Sequence, residues 1–206
     1  MNETIHLIDL GIGNLGSVTN MLNRAGAQVQ RTADPAALAD ASKIILPGVG
    51  SFDALVQKID AAGIRKPLLE HARSGKPLLG ICLGMQVLSE GSDEGQLAGL
   101  GLIPGRVRRF QFAGDQAHLK VPHMGWNRVA VRKDHPLAHG LQEGARFYFV
   151  HSFYFDCAAP GDALLTTHYG FDFASGVQRE NVMGVQFHPE KSHRFGLQLV
   201  QNFAGL

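Results

Sequence analysis

Cysteine is scarce in this chain. Cys82 and Cys157 are the two present, too few for a disulfide framework, so a disulfide-stapled scaffold is excluded and a reducing compartment is expected. An excess of one charge is also missing. Nineteen Lys and Arg face eighteen Asp and Glu, a formal net charge of +1, which argues against attraction of nucleic acid through bulk charge. No apolar run approaches the roughly 20 residues that span a bilayer. Met1 to Thr4 carries neither a basic region nor a long apolar stretch, so no secretory signal is expected and the expected location is cytoplasmic. Repeats, low-complexity tracts and linkers are absent. What is present is ordinary globular composition, 45% hydrophobic and 18% charged over 206 residues, enough for one domain covering 1–206.

The first half alternates strand and helix patterns. Ile5 to Leu10, Ala27 to Arg31, Lys43 to Leu46 and Pro77 to Cys82 read as strands. Helical patterns fall at Ser17 to Leu22, Pro35 to Ala39, Phe52 to Ala62 and Ile64 to Arg73, with Gly75 as a stop. Such alternation predicts right-handed βαβ units in an open, mostly parallel, flavodoxin-like α/β sheet with helices on both faces. Ser89 to Gly105 is polar and glycine-rich and reads as a surface excursion. Beyond it, Arg106 to Phe112, Asn127 to Val131, Arg146 to Asp156, Ala163 to Tyr169 and Ala174 to Arg179 read as antiparallel strand extensions. A late strand, Asn181 to Phe187, and a helix, Ser192 to Phe203, close the chain.

Gly11 to Gly16 spells G-x-G-x-x-G between a strand and a helix, with Asp34 near the spacing of a ribose-binding acid. A dinucleotide enzyme would also need a reaction centre later in the chain, and none follows, so a glycine-rich turn opening a crossover helix is the better reading. Zinc ligation by His118, His123 and His188 lacks metal-ligand spacing.

Cys82 lies between Gly80 and Gly84 at the end of an apolar strand, before an amphipathic segment. Glycines two residues either side suit a strand-to-helix elbow that lifts a nucleophile out of the sheet. The helix start would favour thiolate, and the Leu83 N–H would face a developing oxyanion. A buried structural cysteine is the competing reading. His188 at the end of the late strand, followed by Pro189 and Glu190, tilts the balance. In extended chain residues two apart share a side, so Glu190 can orient the His188 ring. Cys82, His188 and Glu190 then form nucleophile, base and orienter.

Gly80 to Gln86 together with Phe187 to Glu190 resemble the triad-type (class I) glutamine amidotransferases. Pro47 to Gly50, Val121 to Asn127, Tyr148 to Ser152 and Gly184 to Ser192 look like the glutaminase subunits of imidazole glycerol phosphate synthase within that family. The resemblance spans almost the whole chain. It implies the class I glutamine amidotransferase fold and no cofactor. It also implies glutamine hydrolysis through a Cys82 thioester, with an oxyanion hole from the N–H groups of Val49 and Leu83, the Val49 peptide reorienting between Gly48 and Gly50. Gln86, Glu94, Gly50, Ser152 and Phe153 are the implied substrate contacts. The implied partner is a (β/α)₈-barrel cyclase forming a heterodimer. Ammonia would pass to it, and PRFAR would become imidazole glycerol phosphate and an aminoimidazole carboxamide nucleotide. Asn14, Trp126, Tyr148 and Lys191 are the residues implied to face it. Leu10 and Gly16 depart from the family, where an aromatic and a basic residue are expected. A glutaminase of another pathway and a catalytically silent subunit of the same fold stay open.

Overall fold

The computed structural model describes residues 4–141 and 144–206. Its frame is a sheet whose central strands carry apolar side chains toward both faces, as buried parallel strands must. Five strands run parallel. They are β1 (Thr4–Ile8), β2 (Gln28–Thr32), β3 (Lys43–Gly48) and β4 (Leu78–Cys82), with the late strand Val182–Val185 beside β4. Helices α1 (Leu15–Arg24), α2 (Pro35–Ala39), α3 (Phe52–Ala61) and α4 (Arg65–Arg73) make the crossovers, and a one-turn helix α5 (Leu83–Gln86) follows β4. The pleat divides the core. Ile5, Leu7, Ile45, Leu79 and Ile81 pack with α1 and with the closing helix α6 (His193–Ala204). Ile8, Ile44, Leu46 and Leu78 pack with α2, α3 and α4 on the opposite face.

The remaining strands are β5 (Gly91–Ser92), β6 (Gly105–Arg109), β7 (His123–Arg128), β8 (Ala130–Val131), β9 (Arg146–His151), β10 (Phe153–Cys157), β11 (Ala163–Tyr169) and β12 (Phe171–Arg179). Numbering Val182–Val185 as β13, the main sheet runs β2-β1-β3-β4-β13-β12-β10-β6-β5, with β11 and β8 branching from β12. Strands β7 and β9 pair separately as a two-stranded ribbon. The mostly parallel α/β sheet with antiparallel extensions is the architecture the alternation predicts.

Several boundaries differ from the expected ones. The first strand stops at Ile8, because the Asp9 carboxylate accepts the Gly11 N–H (3.0 Å) and turns the chain. The run 146–156 is two strands in two sheets, broken at Ser152, whose carbonyl is taken by the Phe110 N–H (3.1 Å). The run 127–131 is also divided, since Asn127 Oδ1 captures the Arg128 N–H (2.8 Å) and ends β7. The stretch 89–105 is no mere surface excursion. Ser89, Ser92 and Ile103 are fully buried, and β5 pairs with β6. Asp34 caps α2 by accepting the Ala36 N–H (3.0 Å), which gives it a structural duty in place of a ribose contact.

Candidate active site

Strand β4 delivers Cys82 into a sharp turn with φ +56° and ψ −113°, a conformation most side chains avoid. The flanking glycines explain how such a turn closes. A Cβ on Gly80 would stand 2.5 Å from the Gly84 carbonyl oxygen, and one on Gly84 would overlap the Leu46 carbonyl. Gly48 is similarly confined. A Cβ there would stand 2.8 Å from the Gly84 nitrogen, so β3 and the elbow pack backbone to backbone. The helix that follows Cys82 is one turn long, shorter than the amphipathic pattern suggested, so its dipole is small. Its first N–H groups, beginning with Leu83, lack intrahelical acceptors.

Strand β13 ends three residues before His188, which together with Glu190 is nearly enclosed by protein. His188 Nδ1 meets Glu190 Oε1 at 2.8 Å, and the ring borders the same cleft as Cys82. The expected pairing therefore holds, but through a different backbone. Residues 189–191 form a 3₁₀ turn, and the turn, not extended chain, brings the carboxylate under the ring. Burial opposes charge on His188, yet the hydrogen bonds and charges of Cys82 and Glu190 outweigh it, and its pKa is pushed up to about 9.

A cleft of about 360 Å³ opens over Cys82 and His188, lined by Val49, Gly50, Leu83, Gln86, Glu94, Ser152 and Phe153 among others. Every residue expected to touch substrate or oxyanion thus borders one space. Two have further duties. Glu94 Oε2 accepts the Phe52 N–H (2.8 Å) at the start of α3, and Asp53 holds the next residues through the N–H groups of Gln96 and Leu97. Gln86 donates to the Phe153 carbonyl (3.3 Å) and to Gln186 Oε1 (3.0 Å).

A second, smaller cavity of about 40 Å³ is shared by Asn14, Gly48, Val49, His188, Glu190 and Lys191. Asn14 also caps α1 at Ser17. Trp126 is 46% exposed and lies edge-on to Tyr148. The Lys191 ammonium sits 5.5 Å from the centre of the Tyr148 ring. These four residues consequently form a continuous strip beside the buried triad.

Sequence reading missed Gln186 and the pair His123 and His151. Gln186 is fully buried and its Nε2 approaches Cys82 Sγ (3.9 Å). It follows the end of β13 and precedes Phe187 and His188, but nothing in its type marks it as more than a buried amide. His123 Nδ1 and His151 Nε2 are 2.9 Å apart. Burial lowers both, to about 4 and about 3 respectively. His118 instead bonds the Asp115 carbonyl on the surface, so the three histidines considered for zinc do not converge.

The family profile described as glutamine amidotransferase class-I matches residues 6–204. The chain belongs to the class-I glutamine amidotransferases. Curated members of the family resemble it over nearly their full length. Imidazole glycerol phosphate synthase subunit HisH 2 of Pseudomonas aeruginosa is 47% identical over 203 residues, covering 98% of this chain and 99% of that protein. The HisH subunit of Bdellovibrio bacteriovorus is also 47% identical, covering 97% and 98%. Among solved structures, PurLQS from Thermotoga maritima superposes with a TM-score of 0.75 at 20% identity, covering 100% of this chain and 99% of that one. The glutaminase domain of Trypanosoma brucei CTPS gives 0.68 at 16%, covering 98% and 94%. These two support the amidotransferase fold alone. Among the described residues, no helix is long and apolar enough to cross a membrane.

Proposed function

We propose that this class-I amidotransferase is the glutaminase subunit of an imidazole glycerol phosphate synthase, with Cys82, His188 and Glu190 as its triad. The observation that carries the reading is that Cys82 and His188 line one cleft, with Glu190 hydrogen-bonded to the His188 ring from beneath. The high proton affinity of His188 suits it to take the Cys82 proton as the thiol attacks. The thiolate attacks the carboxamide carbon of glutamine, and the carbonyl electrons move to oxygen, where the Leu83 and Val49 N–H groups receive the charge. The C–N bond then breaks as His188 gives its proton to the leaving ammonia. Water, deprotonated by His188, opens the thioester to glutamate and restores the thiol.

Gln86 brings only an acceptor to substrate. Both protons of its amide are committed to Phe153 and Gln186, so its oxygen is what remains for an N–H of glutamine. Glu94 supplies the negative charge suited to the α-ammonium, with Gly50, Ser152 and Phe153 along the wall. The strip of Asn14, Trp126, Tyr148 and Lys191 is the face for a (β/α)₈-barrel cyclase, and the smaller cavity leads ammonia from the triad toward it. Passage inside protein matters because ammonia released to neutral water is protonated and loses its nucleophilic lone pair.

The test is glutamate release from glutamine by the isolated protein, then with the cyclase and its nucleotide ligand, for wild type and Cys82→Ala. Strong release only in the full mixture, lost in the variant while the complex still forms, is expected. Release indifferent to the cyclase would retain the triad and discard the pathway. No release under any condition would discard the glutaminase.

A further inference from the structure

We propose that Gln186 is a hydrogen-bond donor to the Cys82 sulfur, locked in that polarity by Gln86 and the Phe153 carbonyl. The proposal rests on Cys82 being the nucleophile. An amide can be turned end for end, so its contact with a sulfur means little until something fixes which end faces it. Here the fixing comes from a carbonyl, which only accepts. Phe153 O takes a hydrogen bond from Gln86, so the Gln86 NH₂ faces that way (3.3 Å). The same NH₂ meets the Gln186 amide (3.0 Å), so Gln186 presents oxygen to Gln86. Its NH₂ is left against Cys82 Sγ (3.9 Å). Turning Gln186 over would set two NH₂ groups against each other and an oxygen against the thiolate, with Gln186 wholly buried away from bulk solvent.

The other lone pair of the Phe153 carbonyl is filled from the ribbon. His151 Nδ1 lies 2.7 Å from it and must donate, leaving Nε2 as acceptor. His123 Nδ1, 2.9 Å away, must therefore carry a proton, leaving its own Nε2 as acceptor. Asn127 Nδ2 stands 3.2 Å from that nitrogen. Its orientation is set independently, because Asn127 Oδ1 takes the Arg128 N–H and Nδ2 gives to the His168 carbonyl. Both ends of the chain thus demand the same tautomers, with both imidazoles neutral. A second proton on either ring would put donor against donor. Gln186 acts on the thiolate, which is a reacting group. Gln86 is the positioning residue in this respect, while His151, His123 and Asn127 fill the other side of the same carbonyl.

The experiment uses the complex with the cyclase and compares wild type with Gln186→Met and Gln186→Glu. Alkylation of Cys82 by iodoacetamide is followed across pH, and kcat and KM for glutamine are measured beside it. Loss of a donor to a charged sulfur should move the alkylation midpoint upward by about one pH unit in Gln186→Met and lower kcat by about tenfold, with KM nearly unchanged. Gln186→Glu should shift it further, since an oxygen anion would face the thiolate. Wild-type behaviour in both variants would overturn the proposal while leaving the triad intact. Absence of Cys82-dependent glutamine hydrolysis in wild type would instead overturn the triad itself. Nitrogen-15 spectra of the wild-type protein decide the matter even where a variant fails to fold. They should show the Gln186 amide protons shifting when Cys82 is alkylated, and a Gln186 amide indifferent to the state of Cys82 would refute the proposal.

Discussion

Replacing Cys82 by glycine should yield a more stable protein than replacing it by alanine, although glycine ordinarily destabilises an ordered segment. Both variants lack the thiol, so the loss of its contacts with His188 and Gln186 cancels in the comparison. What differs is the backbone. At φ +56° the residue would be tolerable in the left-handed well, but ψ of −113° lies far outside it. For a residue with a Cβ the cost is therefore roughly 3 kcal/mol, the upper end for such strain. Against this, glycine loses roughly 1 kcal/mol in unfolded-state entropy, and deleting a buried methyl loses roughly 0.8 kcal/mol. Glycine wins by about 1 kcal/mol, or about 2–4 °C in a protein of this size. Thermal and urea unfolding of the two variants, run side by side and followed by near-ultraviolet circular dichroism, measure the difference. Equal stability, or a more stable Cys82→Ala, would refute the idea that the elbow stores strain at the sulfur-bearing residue.

His188 has a folded pKa of about 9 against an ordinary 6.5, so its contribution to stability is complete below about 6.5 and is lost as pH rises through about 9. Cys82→Ala should lower the His188 titration seen by NMR and draw that loss to lower pH; an unchanged titration would show that the sulfur does not hold the proton. Asp53→Ala should cost about 1–3 kcal/mol in urea unfolding by freeing the N–H groups of Gln96 and Leu97, and should raise KM for glutamine several-fold by loosening Glu94. Unaltered KM would separate that loop from substrate. Lys191→Ala should weaken the cyclase ligand's stimulation of glutaminase about tenfold while Cys82 alkylation of the free protein stays as in wild type; full stimulation in the variant would remove Lys191 from the partner face.

The parallel half of the fold is legible in the sequence because its signals are local: apolar runs such as Lys43 to Leu46, amphipathic helices, and stops such as Gly75. The elbow can be read because only glycine fits at positions 80 and 84. The antiparallel half is less legible. Residues 146–156 look like one strand, since strand pattern does not reveal which sheet a residue joins, and the break at Ser152 is decided by Phe110, far away in sequence. Ser89 and Ser92 look destined for solvent, yet internal hydrogen bonds let them be buried. His188 and Glu190 are legible through a pairing expected in extended chain, and the 3₁₀ turn serves it equally. Gln186, His123 and His151 escape because their importance lies in hydrogen-bond polarity, which exists only once the partners from separate strands meet.

Tyr148 binds the ribbon to His188 without using its side chain. The His188 N–H donates to the Tyr148 carbonyl (2.9 Å), while Ser192 Oγ accepts the Tyr148 N–H and donates to the His188 carbonyl. Main-chain hooks are blind to the identity of the residue that carries them. The outer surface of the ribbon is therefore free to drift in sequence, and with it the choice of partner, while the histidine stays where the chemistry needs it. A scaffold built this way separates the part that evolution revises from the part it keeps. The same separation gives protein engineers a surface on which a new ammonia-consuming partner could be selected without touching the triad.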